Sequence, residues 1–428
     1  KKRAPVDSYL AAMPLIAIGL AVIIWALNWG ALHIALPLLV LWGCAGFVTE
    51  WLNAPPQDQH ARISAEVELF LRLQPLRIWR FYAEHGGEKH NYLIPDHVEE
   101  AKLYEAPRVS TTNIGMLLNA RQAAVEFGFI TLPEFVHLTT STLTTIDKLE
   151  KVHGHPFNWY DTLTLKPLLP ITVSSVDNGN LAASLYTLRA GAQAMLKSTL
   201  IAKELFVGVR TLWQLITGLH RAASVGLDND SPPLLEATLE AWIAWIFADR
   251  NIDVPEEIAP PEAAWWVSEM HQRIEAIQNL VSNYCPWMLP EFAPLRSVKQ
   301  LETADWWACS SLEDAPDFTA HLQSMLADVH GLPEGMEASS SERLRVLLGP
   351  ALEHQKSLIH SLQSVAARAF RLVEQMDFGF LLEKGRQLLS IGYEVRTNKL
   401  YAATYDMLAS EARIATFLAI AKGDIPQQ

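Results

Sequence analysis

The sequence predicts an all-α protein, with two apolar helices at its start and a long run of amphipathic helices behind them. Three observations carry this reading. No charged residue occurs between Asp7 and Glu50. Beyond that stretch, apolar residues recur at helical spacing behind Ser, Thr and Asn caps, and strand-type alternation is almost absent. With 428 residues, half of them hydrophobic, the chain has material for a large helical domain and an additional module.

The uncharged run from Ser8 to Thr49 is broken only by Asn28-Trp29-Gly30 and a neutral His33. At ~1.5 Å of rise per residue it exceeds one ~30 Å crossing of a bilayer, so the central break predicts two crossings, roughly Leu10 to Leu27 and Leu32 to Val48. A cleaved signal peptide, with one short apolar core and a small-residue cleavage site, does not match. Lys1-Lys2-Arg3 precedes the first crossing, Arg62 and Arg72 follow the second, and the turn has no Lys or Arg. Both ends are therefore expected on the cytoplasmic side, with the bulk of the chain facing the cytosol. Residues 1–52 form this hairpin and 53–63, with Asn53-Ala54-Pro55-Pro56, a linker.

From Ser64 the helices follow in order. Ser64 caps a helix whose first turn carries Glu66 and Glu68, favourable at the positive end of the helix dipole. Thr112 or Asn113 caps the next, with Ile114, Leu117, Leu118 and Val125 on one face. Thr131-Leu132-Pro133-Glu134 is a capping-box pattern, and its helix runs to a stop at His153-Gly154. Leu181, Leu185, Leu188, Ala192 and Met195 mark a fourth helix, and residues 202 to 219 a fifth. From 223 to 341 the composition turns Pro-rich and acidic and holds seven tryptophans: Trp242, Trp245, Trp265, Trp266, Trp287, Trp306 and Trp307. Exposed indoles can stack on sugar rings, but at helical spacing they are read first as packing. A long helix, 342 to 375, broken near Gly349-Pro350, opens the last segment, 342–428. A short strand is plausible at Leu388 to Val395 with a turn at Thr397-Asn398, and a final helix is predicted from Tyr405 to Lys422. No internal repeat is visible, although paired helices at ~35 to 45-residue spacing would suit a toroid.

Composition removes several function classes. A net charge of −13 with no basic face argues against a nucleic-acid partner. Cys44, Cys285 and Cys309 give neither a disulfide framework nor a Cys-x-x-Cys site. His153-Gly154-His155 lacks the partners of a metal site, so no metal and no cofactor is expected in this segment. Gly-rich phosphate loops, His-Glu-x-x-His and nucleophile elbows are absent from the sequence. Gln74-Pro75-Leu76-Arg77-Ile78 resembles the Gln-x-x-Arg-Trp box of processive glycosyltransferases, but Trp79 is one place late and Pro75 interrupts.

The densest functional text is Asn158-Trp159-Tyr160-Asp161, followed by Val173-Ser174-Ser175-Val176-Asp177-Asn178-Gly179-Asn180: acids, amides and aromatics in a short connection that runs into an apolar helix. Helical-barrel carbohydrate enzymes build cleft floors this way. Glycoside chemistry needs two carboxyl groups, one protonated at the leaving oxygen and one ionised. Asp161, Asp177, Asp406 and Glu411 are the candidates. Glu411 lies one turn into the predicted last helix, among Leu408, Ala409, Ala412 and Ile414, where partial burial would raise its pKa. From the residues alone, a structural ion pair with Arg413 or Arg386 is the first reading of Glu411, and helix capping that of Asp177 and Asn180.

Thr112-Asn113-Ile114-Gly115, the Asn158–Thr162 and Val173–Ala182 stretches, and Tyr405-Asp406-Met407-Leu408-Ala409-Ser410-Glu411-Ala412-Arg413 together resemble cyclic β-1,2-glucan synthases. They are similar, in order, to the region after the glycosyltransferase module and the start of the glucoamylase-like domain. The resemblance runs from about Ser64 to Gln428 and is weakest in the Trp-rich insert. It implies a bacterial inner-membrane enzyme that extends a β-1,2-glucan from UDP-glucose and closes it by transglycosylation. This chain is then expected to be an internal piece, inactive alone, between an upstream glycosyltransferase and a downstream phosphorylase module of the same polypeptide. Residues 64–222 would be the first part of an incomplete (α/α) barrel, 223–341 a helical insert and 342–428 its continuation. By the same resemblance Glu411 is the general acid/base. Asp161, Asp177, Asn180, Trp159, Tyr160, Asp406 and Arg413 line or brace the sugar subsites, and the second carboxylate lies downstream. Where the family has a polar run before Tyr-Asp, this chain has Tyr401-Ala402-Ala403-Thr404. The competing readings are a membrane-tethered endo-β-glucanase and a non-catalytic glucan-binding scaffold.

Overall fold

The computed structural model describes residues 5–52, 64–221, 231–249, 261–297, 311–327, 338–405 and 410–427. It is mostly helical and divides into two compact units, Lys1–Glu68 and Leu69–Gln428.

In the first unit, α1 (Pro5–Leu27) packs against α2 (Trp29–Gly43) and α3 (Ala45–Leu52). The pairing is antiparallel: a Cβ added to Gly43 would lie 4.0 Å from Ala17, and one on Gly46 would lie 3.7 Å from the Leu10 carbonyl. The break falls where the sequence places it, because the extended Asn28 accepts the Ala31 N–H and restarts the helix. Among the described residues, Leu10–Leu27 is the helix long and apolar enough to cross a membrane, and α2 by itself is shorter.

In the second unit the expected helices form, with corrected ends. Ser64 caps α4 (Ala65–His85). α5 (Thr111–Glu126) is capped by Ser110 and not by Thr112 or Asn113, because Ser110 ends a strand and its hydroxyl takes the Asn113 N–H at 3.2 Å. α6 (Leu132–Lys148) opens on the predicted capping box, in which Glu134 accepts the Thr131 N–H at 2.7 Å. It ends at Leu149. His153 and Gly154, both at positive φ, belong to the turn that follows, where a Cβ on Gly154 would sit 1.8 Å from the Gln375 carbonyl.

α7 (Ser175–Leu196) buries Leu181, Leu185, Leu188, Ala192 and Met195 as the pattern predicts, and α8 (Lys203–Arg221) follows it. In the Trp-rich segment are α9 (Leu239–Phe247), α10 (Pro261–Tyr284) and α11 (Ala315–Ala327). Trp242, Trp245, Trp266 and Trp287 are buried, with Trp242 stacked on Phe206 at 4.9 Å, so packing is their role; Trp306 and Trp307 lie outside the described residues. α10 packs on α8 and on α12 (Ala338–Gln375). α12 runs unbroken through Pro350, whose missing N–H would have served the Val346 carbonyl, at a residue open to solvent. α13 covers only Arg413–Lys422, behind a 3₁₀ turn at Ser410–Ala412, so the last helix starts later than predicted. α7 is the central element, with α5, α12 and α13 against it.

The strands are short, and most escape the sequence reading. They are β1 (Val98–Glu99), β2 (Tyr104–Glu105), β3 (Arg108–Ser110), β4 (Lys151–Val152), β5 (His155–Pro156), β6 (Trp159–Asp161), β7 (Thr172–Ser174), β8 (Leu382–Glu383), β9 (Leu388–Leu389), β10 (Gly392–Glu394) and β11 (Lys399–Leu400). The predicted turn at Thr397-Asn398 joins β10 to β11, with Asn398 at φ 54°. Pieces of two or three residues carry no readable alternation, because distant partners specify them. β3 pairs with β6, and β7 with β10, all antiparallel.

Candidate functional site

The pairing of β7 with β10 sets Ser174 opposite Gly392 and Val173 opposite Tyr393. It joins the start of α7 to a segment more than two hundred residues later. The join needs Gly392, because a Cβ there would come within 2.4 Å of the Val173 carbonyl. The Ser175 N–H donates to the Ile391 carbonyl, and the Tyr405 N–H to the Leu389 carbonyl at 3.0 Å. Tyr405 is thereby held near the first turn of α7.

At that turn a polar cluster forms. Ser174 caps α7 by accepting the Asp177 N–H at 3.2 Å, and its hydroxyl donates to Asp177 Oδ2 at 2.5 Å. Thr112, freed from capping α5, donates to Asp177 Oδ1 at 2.7 Å and accepts from Asn180 Nδ2 at 3.1 Å. In the orientation that satisfies both its ends, the Asn158 amide donates to Asp177 Oδ2 at 3.1 Å and accepts from Trp159 Nε1 at 3.2 Å. Asp177 is therefore bonded by three side chains, Ser174, Thr112 and Asn158, with Asn180 behind Thr112.

Glu411 reaches the same neighbourhood. Burial, and after it the negative charges of Glu411 and Asp177, push the Tyr405 phenol above its ordinary pKa. The two carboxylates thus both bear on one hydroxyl. The turn that carries Glu411 packs on α7, and α13 behind it comes so close that a Cβ on Gly179 would lie 2.6 Å from Ala415 Cβ. Glu411 itself is exposed, which corrects the expectation of partial burial: the 3₁₀ turn directs the neighbouring Ala412 inward instead. Arg386 donates to Thr404 Oγ1 at 3.4 Å. Arg413, also exposed, is the first residue of α13, and Asp406 lies outside the described residues.

The other predicted residues serve the scaffold. Tyr160 is fully buried. Its hydroxyl donates to the Glu150 carbonyl and accepts the Phe157 N–H, and burial pushes its pKa up, so it braces the connection and cannot line a cleft. Asp161 closes a turn. Partial burial works against its ionisation, but hydrogen bonds from the Thr164 N–H and hydroxyl and the Leu163 N–H outweigh this and hold the carboxyl below its usual range. Trp159 is half-buried, with the Arg108 guanidinium 4.9 Å from its ring centroid.

The sequence reading missed Thr112 and Tyr405 as members of the cluster. Both stood in motifs it quoted, but a lone hydroxyl declares no partner until the distant strands pair. His153 and His155 are engaged elsewhere: His153 stacks on Phe380 at 4.4 Å, and His155 Nε2 bonds the Asp377 carbonyl at 2.8 Å. Among the described residues, no group of three or more His, Cys, Asp or Glu side chains is placed to hold a metal.

No protein-family model matches the chain. Over 431 aligned residues, 97% of the chain, it is 29% identical to the cyclic β-(1,2)-glucan synthase NdvB of Rhizobium meliloti (strain 1021). The chain spans 13% of the length of that protein. The resemblance to cyclic β-1,2-glucan synthases carried by the motifs at residues 112, 158–180 and 405–413 therefore extends, as sequence similarity, along nearly the whole chain.

Proposed function

We propose that this chain is part of a membrane-bound cyclic β-1,2-glucan synthase and contributes to closing the glucan ring by transglycosylation. Its helical body is then the first part of an (α/α) toroid that other segments of the polypeptide complete. The α1 to α3 hairpin spans the bilayer twice, with α2 continued by α3 as the second crossing and both ends in the cytoplasm. An upstream glycosyltransferase extends the chain from UDP-glucose, and a downstream phosphorylase trims it.

In this reading Glu411 is the general acid/base and the cluster of Asp177, Asn180, Thr112 and Asn158 holds glucose hydroxyls beside it. Glu411 protonates the leaving oxygen as one glycosidic bond breaks. It then takes the proton of the hydroxyl at the chain's own far end as that oxygen bonds to the freed glucosyl carbon. One glycosidic bond is lost and one gained, and no water is consumed. The partner carboxylate comes from outside this chain.

The observation that supports the reading is that the turn carrying Glu411 packs on α7, whose first turn holds the Asp177, Thr112 and Asn180 cluster, in a chain similar to a cyclic glucan synthase along 97% of its length. The test is Asp177→Ala in the complete synthase, supplied with linear β-1,2-glucan and assayed for cyclic product. The reading expects ring closure to fall by at least about tenfold while incorporation from UDP-glucose persists. Undiminished cyclisation would contradict it, and conversion of linear glucan to shorter linear pieces by the unmodified enzyme would favour a hydrolase.

A further inference from the structure

A cavity of about 990 Å³ opens between α4, which supplies Arg77, Arg80 and Phe81, and the β1–β2 hairpin with its lead-in, which supplies Asp96, His97 and Leu103. Its volume falls at the upper end of the range for small-molecule sites. We propose that this cavity is a remote subsite for the same glucan chain, holding sugars several units away from the bond being exchanged; the proposal rests on the functional reading above.

Three observations carry it. The first is continuity. Asp96 on the cavity wall accepts from Arg108 Nε and Nη2 at 3.1 and 2.9 Å. The Arg108 guanidinium lies over Trp159, and Trp159 leads through Asn158 to Asp177. These contacts run unbroken from Asp177 to the cavity wall, through a half-buried indole and an exposed arginine.

The second is preorganisation with balanced charge. Arg80 donates to Glu84 at 3.1 Å and lies 4.9 Å over the Trp265 ring. Glu105 is clamped by Lys89 at 2.6 Å and His90 at 2.7 Å, and these hydrogen bonds hold its carboxyl well below the usual range, at about 2. Side chains already fixed lose little freedom on binding. Because cations and carboxylates alternate around the wall, a ligand with net charge of either sign meets repulsion, whereas a sugar hydroxyl both donates and accepts.

The third is Leu103. It sits at the hairpin tip with φ 50° and 93% of its surface exposed, a strained position for a leucine. There it offers an apolar contact to the C–H face of a glucose ring.

The experiment uses the complete synthase in detergent and measures binding of a β-1,2-linked disaccharide and of a long linear β-1,2-glucan by titration calorimetry. The unmodified enzyme should bind the long glucan more tightly. The double variant Arg77→Ala with His97→Ala, and separately Leu103→Ala, should weaken the long glucan by about tenfold and leave the disaccharide unchanged. Asp177→Ala should weaken both. If the long glucan binds the cavity variants as it binds the unmodified enzyme, or if both ligands weaken equally, the remote subsite is wrong. The functional reading would survive if Asp177→Ala still weakens binding. If the unmodified enzyme binds neither ligand, the functional reading falls and takes the subsite with it.

Discussion

The imidazole of His155 is buried edge-on to Phe378 at 4.7 Å and tilted against Phe380 at 5.4 Å. Burial pushes its pKa down to about 4, against the opposing pull of the Asp377 carbonyl bonded to Nε2. The folded protein therefore keeps this ring neutral at pH values where the unfolded chain takes up a proton. Its contribution to stability is complete above pH 6.5, the ordinary imidazole value, and declines as pH falls to about 4, by about 3 kcal/mol. Replacing His155 by Gln should flatten the dependence of the urea midpoint on pH across that window, and an unchanged slope would refute the assignment. Asp177 and Tyr160 looked alike as polar residues before a helix, yet Tyr160 faces the core because β6 pairs with β3 and alternates its side chains. Only that distant pairing decides which residue meets solvent.

Two elements meet at Gly179. A methyl group there would come 2.6 Å from Ala415 Cβ and 2.8 Å from its Cα, so α13 must move to admit Gly179→Ala. Overpacking of this kind costs about 1–3 kcal/mol. It also displaces the turn that carries Glu411, so ring closure in the complete synthase should fall further than the shift in melting temperature alone explains. Ala415→Gly on that background should restore part of the activity, and an active Gly179→Ala enzyme would argue against the placement of α13. α10 is fixed to α6 by Arg273, whose guanidinium donates to Glu134 at 2.7 and 2.9 Å. Removing it by Arg273→Ala leaves carboxylates unpaired. A loss of about 3 kcal/mol is expected in denaturant titration, the low end for a buried pair because a third of the Glu134 side chain still meets solvent. A loss below ~1 kcal/mol would mean the pair is not holding the helix. Helices of this length were legible because caps and periodicity are local, as at Thr131 and Glu134. The ends of α5 and α13 were not, since Ser110 and the turn at 410–412 are set by contacts with other elements.

For the whole molecule, the apolar stretch and the helical body were both readable from patterning, and the joining of residue 174 to residue 392 was not. That joining depends on a glycine whose missing Cβ admits a carbonyl from the far end of the chain, and spacing alone does not announce it. The hairpin reading predicts that the chain resists carbonate extraction from membranes, and that deletion of residues 5–52 releases it. Retention of the deleted form in the pellet would place the membrane contact elsewhere. The central claim is that Glu411 exchanges the proton in ring closure, and Glu411→Gln in the complete synthase tests it most directly. Given linear β-1,2-glucan, this variant should form cyclic product at least ~100-fold more slowly than the unmodified enzyme while still binding the glucan. Unchanged cyclisation would contradict the account.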